Sequence, residues 1–251
     1  MKSSILSFWQ AGLACVFLTV CGCTSQTSKS AGAPSANTPA AEKAPSVDDA
    51  IRKAASMPSE PVEGTGWKSL FDGKTLRGWQ VTQFGGHGPV NCQDGLMIVD
   101  MGDALSGVNW TNTPPKSNYE IVLDGMRLDG SDFFCGLTFP VGQSHCSLIL
   151  GGWGGTVVGI SSIDGQDASE NETTKFIRFE SDRWYRIRIR VTDAKIEAWL
   201  DKDKIVDLPL ADRKITLRFG DIDMSLPLGV ATYQTTAAFR NLKWRSLGPA
   251  N

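Results

Sequence analysis

The chain has 251 residues, 41% of them hydrophobic and 21% charged, and its 25 basic and 27 acidic residues give a formal net charge of -2. This composition suits one large globular domain and excludes collagen-like and multiply spanning chains. A near-neutral balance offers no broad positive field, so nucleic acid is not an expected partner.

The chain begins "MKSSILSFWQAGLACVFLTVCGC": one Lys, an apolar run from Ala11 to Val20, then small residues before Cys23. Residues 1–22 read as an export signal. Val20-Cys21-Gly22-Cys23 resembles the bacterial lipoprotein signal, in which the acylated Cys, here Cys23, becomes the first mature residue and ties the protein to a membrane. A plain signal peptide or a short anchor helix is the alternative, although the run is short for a spanning helix. The expected location is the cell envelope, periplasm or cell surface, with membrane contact through the lipid alone.

Residues 23–63 are dominated by Ser, Ala, Thr, Pro and Lys, with few large apolar groups to offset the entropy of ordering. They read as a disordered tether. Within them "SVDDAIRKAASM" (Ser46 to Met57) has a Ser cap and early acids, so a short docked helix is the competing expectation.

From residue 64 to 248 almost no run has helical period, and short runs rich in Val, Ile, Phe and Trp alternate with Gly or Asp-Gly. "GWKSLFDGKTLRGWQV" (Gly66 to Val81) reads as an aromatic hairpin around Asp72-Gly73. Strands are expected at Val90–Gln93, Leu96–Met101, Tyr119–Leu128, Phe133–Val141, His145–Leu150, Val157–Ile163 and Lys175–Glu180. Tyr185, Ile187, Ile189 and Val191 alternate with Arg186, Arg188 and Arg190, which predicts one buried face and one solvated stripe. Lys195–Leu200 and Asp201–Val206 complete a meander, and Ile215–Phe219, Gly229–Gln234 and Ala237–Leu247 follow. So many short strands without intervening helices predict an all-β fold, a two-sheet antiparallel β-sandwich of jelly-roll, concanavalin A-like lectin or glucanase type. In such a fold "FRNLKWRSL" near the C-terminus can pair with the opening strand and close the sheet edge.

Beyond Cys23, Cys92, Cys135 and Cys146 lack the paired short spacing of a zinc site. An exported protein permits a Cys135–Cys146 disulfide. The apolar neighbours in "FFCGLTF" and "HCSLIL" point instead to buried free thiols.

"WKSLFDGKTLRGW" and the meander "RWYRIRIRV…IEAWLD" resemble the bacterial 3-keto-disaccharide hydrolase family, over essentially Gly66 to Leu247. The resemblance implies a concanavalin-like jelly roll, export, and action on glycosides carrying a ketone at carbon 3 of the sugar. That ketone acidifies the neighbouring C–H, so a base can remove the proton and the glycosidic oxygen can leave, after which water adds back. The chemistry needs a base, a proton for the leaving oxygen and a group that stabilises an enolate. Many members carry an acid and a His on central strands before an "LYG"-like segment, where this chain reads "SHCSLILGGWGGTVVGISSIDG".

The residues themselves are densest in chemistry from Asp132 to Glu172. No Glu-x-Asp-x-Glu pattern of the kind that brings two carboxyls about 5 Å apart is present; Glu170-x-Glu172, in a polar loop, comes nearest, which disfavours ordinary retaining hydrolysis. On the strand from His145, residues His145, Ser147 and Ile149 share the face away from the core. Phe133, Cys135, Leu137 and Phe139 read as core, with Asp132, Phe134 and Thr138 opposite. The base is expected to be His145 or a loop carboxylate, Asp164, Glu170 or Glu172, with Asp132, Trp153 in "GGWGG", Asp167, Asn171 and His87 holding the sugar. No cofactor is required by this reading; calcium on the acidic loop is the alternative, although the loop lacks D-x-D-x-D-G spacing. A carbohydrate is the expected ligand, cleaved by an enzyme or held by a non-catalytic binding module of the same fold.

Overall fold

The computed structural model describes residues 46–248. The signal, the Cys23 lipidation site and the proposed tether up to residue 45 lie outside the described residues. In chain order the elements are α1 (Val47–Ser56), β1 (Lys68–Ser69), β2 (Trp79–Val81), β3 (Val90–Gln93), β4 (Leu96–Val99) and β5 (Leu105–Trp110). Then come β6 (Tyr119–Gly130), β7 (Cys135–Val141), β8 (Ser144–Gly151), β9 (Val157–Ser161), β10 (Lys175–Phe176) and β11 (Tyr185–Val191). The chain ends with β12 (Lys195–Leu200), β13 (Asp203–Pro209), a 3-10 turn at Asp221–Ser225, β14 (Gly229–Tyr233) and β15 (Thr235–Ser246).

These strands form two antiparallel sheets. One runs β13-β12-β11-β6-β15-β4-β3, with β1 also paired to β15; the other runs β10-β9-β8-β7-β14-β5-β2. Their facing sides enclose one apolar core that includes Leu123, Phe134, Phe139, Leu148, Ile187, Ile189 and Phe239. The expected sandwich and the β11-β12-β13 meander are both present.

The opening stretch closes the sheet edge as expected, with Lys68 opposite Trp244 and Ser69 opposite Lys243. It is not a hairpin. β1 joins the eight-stranded sheet, whereas β2 pairs with β5 in the other, Trp79 opposite Trp110. The Asp-Gly turn therefore carries the chain between sheets. Asp72 accepts hydrogen bonds from the backbone of Lys74 and Thr75 and from the Thr75 hydroxyl. The bonds from Thr75 and Lys74 lower its pKa to about 2. Phe71 and Trp79 are buried at the same time from both sides of the turn.

Two further expectations change, and one strand was not anticipated. Residues 215–219 make no strand beyond a single bridge from Ile215 to Ile163. Conversely, β5, "LSGVNW", is a buried strand whose Ser, Gly and Asn hid its alternation. The segment 46–63, read from composition as tether, is packed from Ser46 onward. Ser46 and Asp49 form a reciprocal capping box at the start of α1, and Ala50, Ile51 and Ala54 pack on Leu96, Ile98, Met126, Leu128 and Ala238 on the outer face of the eight-stranded sheet. The docked helix is the form the segment takes.

The arginine stripe on β11 is likewise no solvated face. Strand register puts Arg190 opposite Glu120 and Arg186 opposite Asp124, while β15 brings Arg245 to Glu120 and Arg240 to Asp124. The Glu120 side chain is fully buried and accepts from Arg190 Nε at 2.8 Å and Arg245 Nε at 2.6 Å. The outward ends of these arginines donate to backbone carbonyls of the segment after α1. Arg240 reaches Met57 and Pro58, Arg186 reaches Glu60 and Pro61, and Arg245 reaches Thr65. Residues 46–65 are thus a strap stitched across the outer face.

Cys135 and Cys146 are buried free thiols. They lie on adjacent strands, but Cys135 faces Leu150 and Cys146 faces Phe139 across the ladder, so register separates them. Burial pushes both thiols far above their usual pKa.

Candidate functional site

Strand alternation in β8 sends Cys146, Leu148 and Leu150 into the core and leaves Ser147 and Ile149 on the opposite face of the seven-stranded sheet. There they form part of the floor of a cleft of about 450 Å³. Ser161 of β9, Tyr233 of β14 and Leu105 of β5 extend that floor. Its walls are Asp132 with Phe133, the turn carrying Trp153, and the segment Arg218-Phe219-Gly220-Asp221-Ile222. Beneath Ser147, its hydroxyl is 2.8 Å from that of Thr138.

The Trp153 turn is held from below. Gly151 and Gly155 have φ of +80° and +107°, and a Cβ on them would lie 2.7 Å from Arg127 Nη2 and 2.6 Å from the Ser131 carbonyl respectively. Only glycine suits both places. Arg127, buried where the sheets meet, donates to the Asp132 carbonyl at 3.0 Å. Asp132 uses its carboxylate to fix the turn, accepting from Gly154 N at 2.8 Å and from Phe133 N at 2.7 Å. Trp153, 43% exposed, consequently presents its indole to the cleft.

Across from it, Arg218 lies with its guanidinium carbon 5.6 Å from the Trp153 ring centroid and Nη1 3.1 Å from Asp167 Oδ2. The other oxygen of Asp167 accepts from the Ser161 hydroxyl and from Ala168 N. Asp167 therefore stands behind the cleft and sets two of its lining groups. Phe219 is fully exposed at the rim, and Asp221 opens the 3-10 turn.

Of the residues singled out from sequence, Asp132 and Trp153 line the cleft, and Asp167 supports it. His145 shares the face of Ser147 but lies beyond the lining. Burial first, then the charge of Lys116, hold its pKa below the usual histidine value. Asn171 is a buried brace, donating to the carbonyls of Ile160, Gln166 and Asp167. Asp164 and Glu172 both pair with Arg213, and Glu170 lies outside the lining. His87 contacts its own loop, with Nδ1 3.0 Å from the Gly88 carbonyl. Among the described residues no group of three or more His, Cys, Asp or Glu side chains is arranged to hold a metal ion.

Within the Asp132–Glu172 region one parity assignment reverses. Phe133 lines the cleft and Phe134 is core, because β7 begins only at Cys135 and the two residues before it are irregular. Sequence reasoning missed Arg218, Phe219, Asp221 and Tyr233. The Gly220-Asp221 pair that ends the apparent 215–219 strand was the available signal of a loop.

The described residues form a two-sheet β-sandwich with an aromatic, charged cleft on one sheet face. The family described as the 3-keto-alpha-glucoside-1,2-lyase-like domain matches residues 66–245, and the chain belongs to that family. No curated protein matches it significantly. Among solved structures, a protein from Parabacteroides distasonis described as a candidate glycosyl hydrolase is 15% identical, with 72% of this chain and 94% of that chain covered at a TM-score of 0.45. The carbohydrate-binding module CBM66 from Bacillus subtilis is 13% identical, with 67% and 96% covered and a TM-score of 0.47. Domain 4 of AbnA, a GH43 extracellular arabinanase from Geobacillus stearothermophilus, is 11% identical, with 67% and 82% covered and a TM-score of 0.44.

Proposed function

We propose that the protein cleaves the glycosidic bond of 3-keto-glycosides in the cleft beneath Trp153. The reading is supported by membership of the family and by one observation above all, the meeting of Trp153, Arg218 and Asp221 on a single cleft. Trp153 offers an apolar face to a sugar ring. Arg218, steadied by Asp167, is the cation for the ketone oxygen as it becomes an enolate. Asp132 has both oxygens committed to backbone N–H groups, so its role is to hold the turn. That leaves Asp221 as the base.

In this scheme the Asp221 carboxylate takes the proton from carbon 2, and the C–H electrons form the enolate with the ketone at carbon 3. Collapse of the enolate restores the ketone, forms the C1=C2 double bond and breaks the C1–O bond. The leaving oxygen receives the proton from Asp221. Water then adds at carbon 1 while carbon 2 regains a proton, so elimination and addition sum to hydrolysis.

Incubation of the protein with a 3-keto-glucoside and with its unoxidised parent tests this. The expected result is release of the aglycone from the ketone alone, because without the carbonyl the C2 proton is not acidic. Binding of both sugars with release from neither would instead support the binding-module reading.

The same proposal places the protein at a membrane surface through acylated Cys23. A clickable fatty acid fed to producing cells should label the full chain and not its Cys23→Ala variant. Equal labelling of both would refute the anchor.

A further inference from the structure

The segment between Ile215 and the 3-10 turn, one wall of the cleft, has firm ends and a free middle. At one end the Thr216 N–H donates to the Ser162 carbonyl at 3.2 Å and the Ser162 N–H to the Thr216 carbonyl at 2.7 Å. At the other end Ile222 is buried against Phe84 and Ala231, and the Asp223 N–H donates to the Gly220 carbonyl at 3.3 Å. Between these anchors no backbone group of residues 217–219 bonds to another backbone group among the described residues. The middle is held by Arg218, through Asp167 and the Trp153 ring.

Gly220 supplies a hinge. Its φ is +128°, a backbone conformation open to glycine, yet a Cβ there would meet nothing within 4 Å. The position therefore needs glycine for its backbone freedom and not for space. Next to the hinge stands Phe219. Of the other aromatic side chains in the cleft, Phe133 and Tyr233 pack together with ring centroids 5.9 Å apart, and Trp153 has Arg218 against it. Phe219 has neither a ring nor a cation beside it among the described residues and is wholly exposed. A phenyl ring left in water at the rim of a cleft lined by Leu105, Ile149 and Ile222 forgoes burial that closure would supply.

We propose that residues 217–220 form a flap that closes on a bound sugar, turning at Gly220 and laying Phe219 over the ligand. The proposal rests on the function proposed above. Closure removes water from around Asp221, the residue after the hinge, while the C2 proton is taken, and reopening admits the water that adds at carbon 1.

Phe219→Ala and Phe219→Leu, compared with wild type, test it. Because the ring is wholly exposed, neither change should shift the melting temperature by more than about 1 °C. For a 3-keto-glucoside kcat/KM of Phe219→Ala should fall roughly tenfold, the order of what burying much of a phenyl ring contributes, and Phe219→Leu should recover most of the loss. An unchanged kcat/KM in Phe219→Ala would overturn the flap while leaving the cleavage reading intact. If wild type turns over no 3-keto-glucoside, the cleavage reading fails and the flap is judged by fluorine NMR. In wild type labelled with 4-fluorophenylalanine, the signal lost in Phe219→Leu belongs to Phe219, and its shift between H2O and D2O reports exposure. An unoxidised glucoside that moves the Trp153 indole N–H signal should sharply reduce that solvent shift. Full solvent shift with the Trp153 signal moved would overturn the flap alone, and a glucoside that moves neither signal would reject the flap together with the cleft.

Discussion

Removal of residues 46–65 should lower the melting temperature by roughly 10–20 °C or render the chain insoluble, even though it leaves the whole family-matched region in place. The reason lies on the outer face of the eight-stranded sheet. Loss of α1 uncovers Ile51's partners Leu96, Ile98, Met126 and Leu128, and restoring one buried aliphatic side chain to water costs about 1.5–3 kcal/mol. The carbonyls that accept from Arg186, Arg240 and Arg245 go as well, loosening the arginines that neutralise buried Glu120 and Asp124. Together these effects are on the order of 5 kcal/mol, a large share of the stability of an ordinary domain. Ile51→Asp in the full chain is the milder form of the test and should cost about 2–4 kcal/mol, since it puts an unpaired carboxylate against the same apolar surface. Thermal unfolding measures both. A truncated chain that melts within 2 °C of the full one would show that the strap merely lies on the surface.

The second large effect is expected at the cleft. Asp221→Asn keeps the shape of the side chain but removes the base, and kcat should fall about 10²–10⁴-fold with little change in KM. Arg218→Ala removes the cation opposite the enolate and should reduce kcat about 10²–10³-fold. Trp153→Ala should act mainly on KM, because the indole meets substrate and transition state alike. Asp167→Asn leaves Arg218 in place but weakens its anchor, so a smaller fall in kcat is expected. Steady-state rates on a 3-keto-glucoside read all four. Asp221→Asn with kcat within threefold of wild type would remove Asp221 as the base.

The fold was legible because alternation in β11 is strict. Each strand of that kind has one face on a dry core, and a one-residue slip would expose every apolar side chain it carries. Two features escaped for physical reasons. The β11 arginines read as solvated because their partners, Glu120, Asp124, Arg240 and Arg245, sit on β6 and β15, more than 40 residues away in the chain, and only strand register makes them neighbours. Residues 57–65 meet the arginines through backbone carbonyls, so their Pro- and Ser-rich composition says nothing of those contacts.

The cleft was legible by half. Asp132 and Trp153 lie in the turns just before β7 and just after β8, where the charge of one and the flanking glycines of the other mark them. Arg218 and Asp221 come from an irregular segment whose path across the sheet is set by the bridge from Ile215 to Ile163 and by the packing of Ile222 against Phe84 and Ala231. Such contacts leave no periodic trace. The acidic loop attracted attention for its charge, yet two of its carboxylates, Asp164 and Glu172, pair with Arg213 away from the cleft.

Turnover of a 3-keto-glycoside in D2O tests most directly whether cleavage begins with removal of the C2 proton. Product analysed at early times, before the free keto-sugar can enolise, should carry deuterium at carbon 2, since that carbon regains its hydrogen from solvent during the addition of water. A product that keeps its original hydrogen there would mean that the bond was broken by direct displacement at carbon 1, and the elimination route would be wrong.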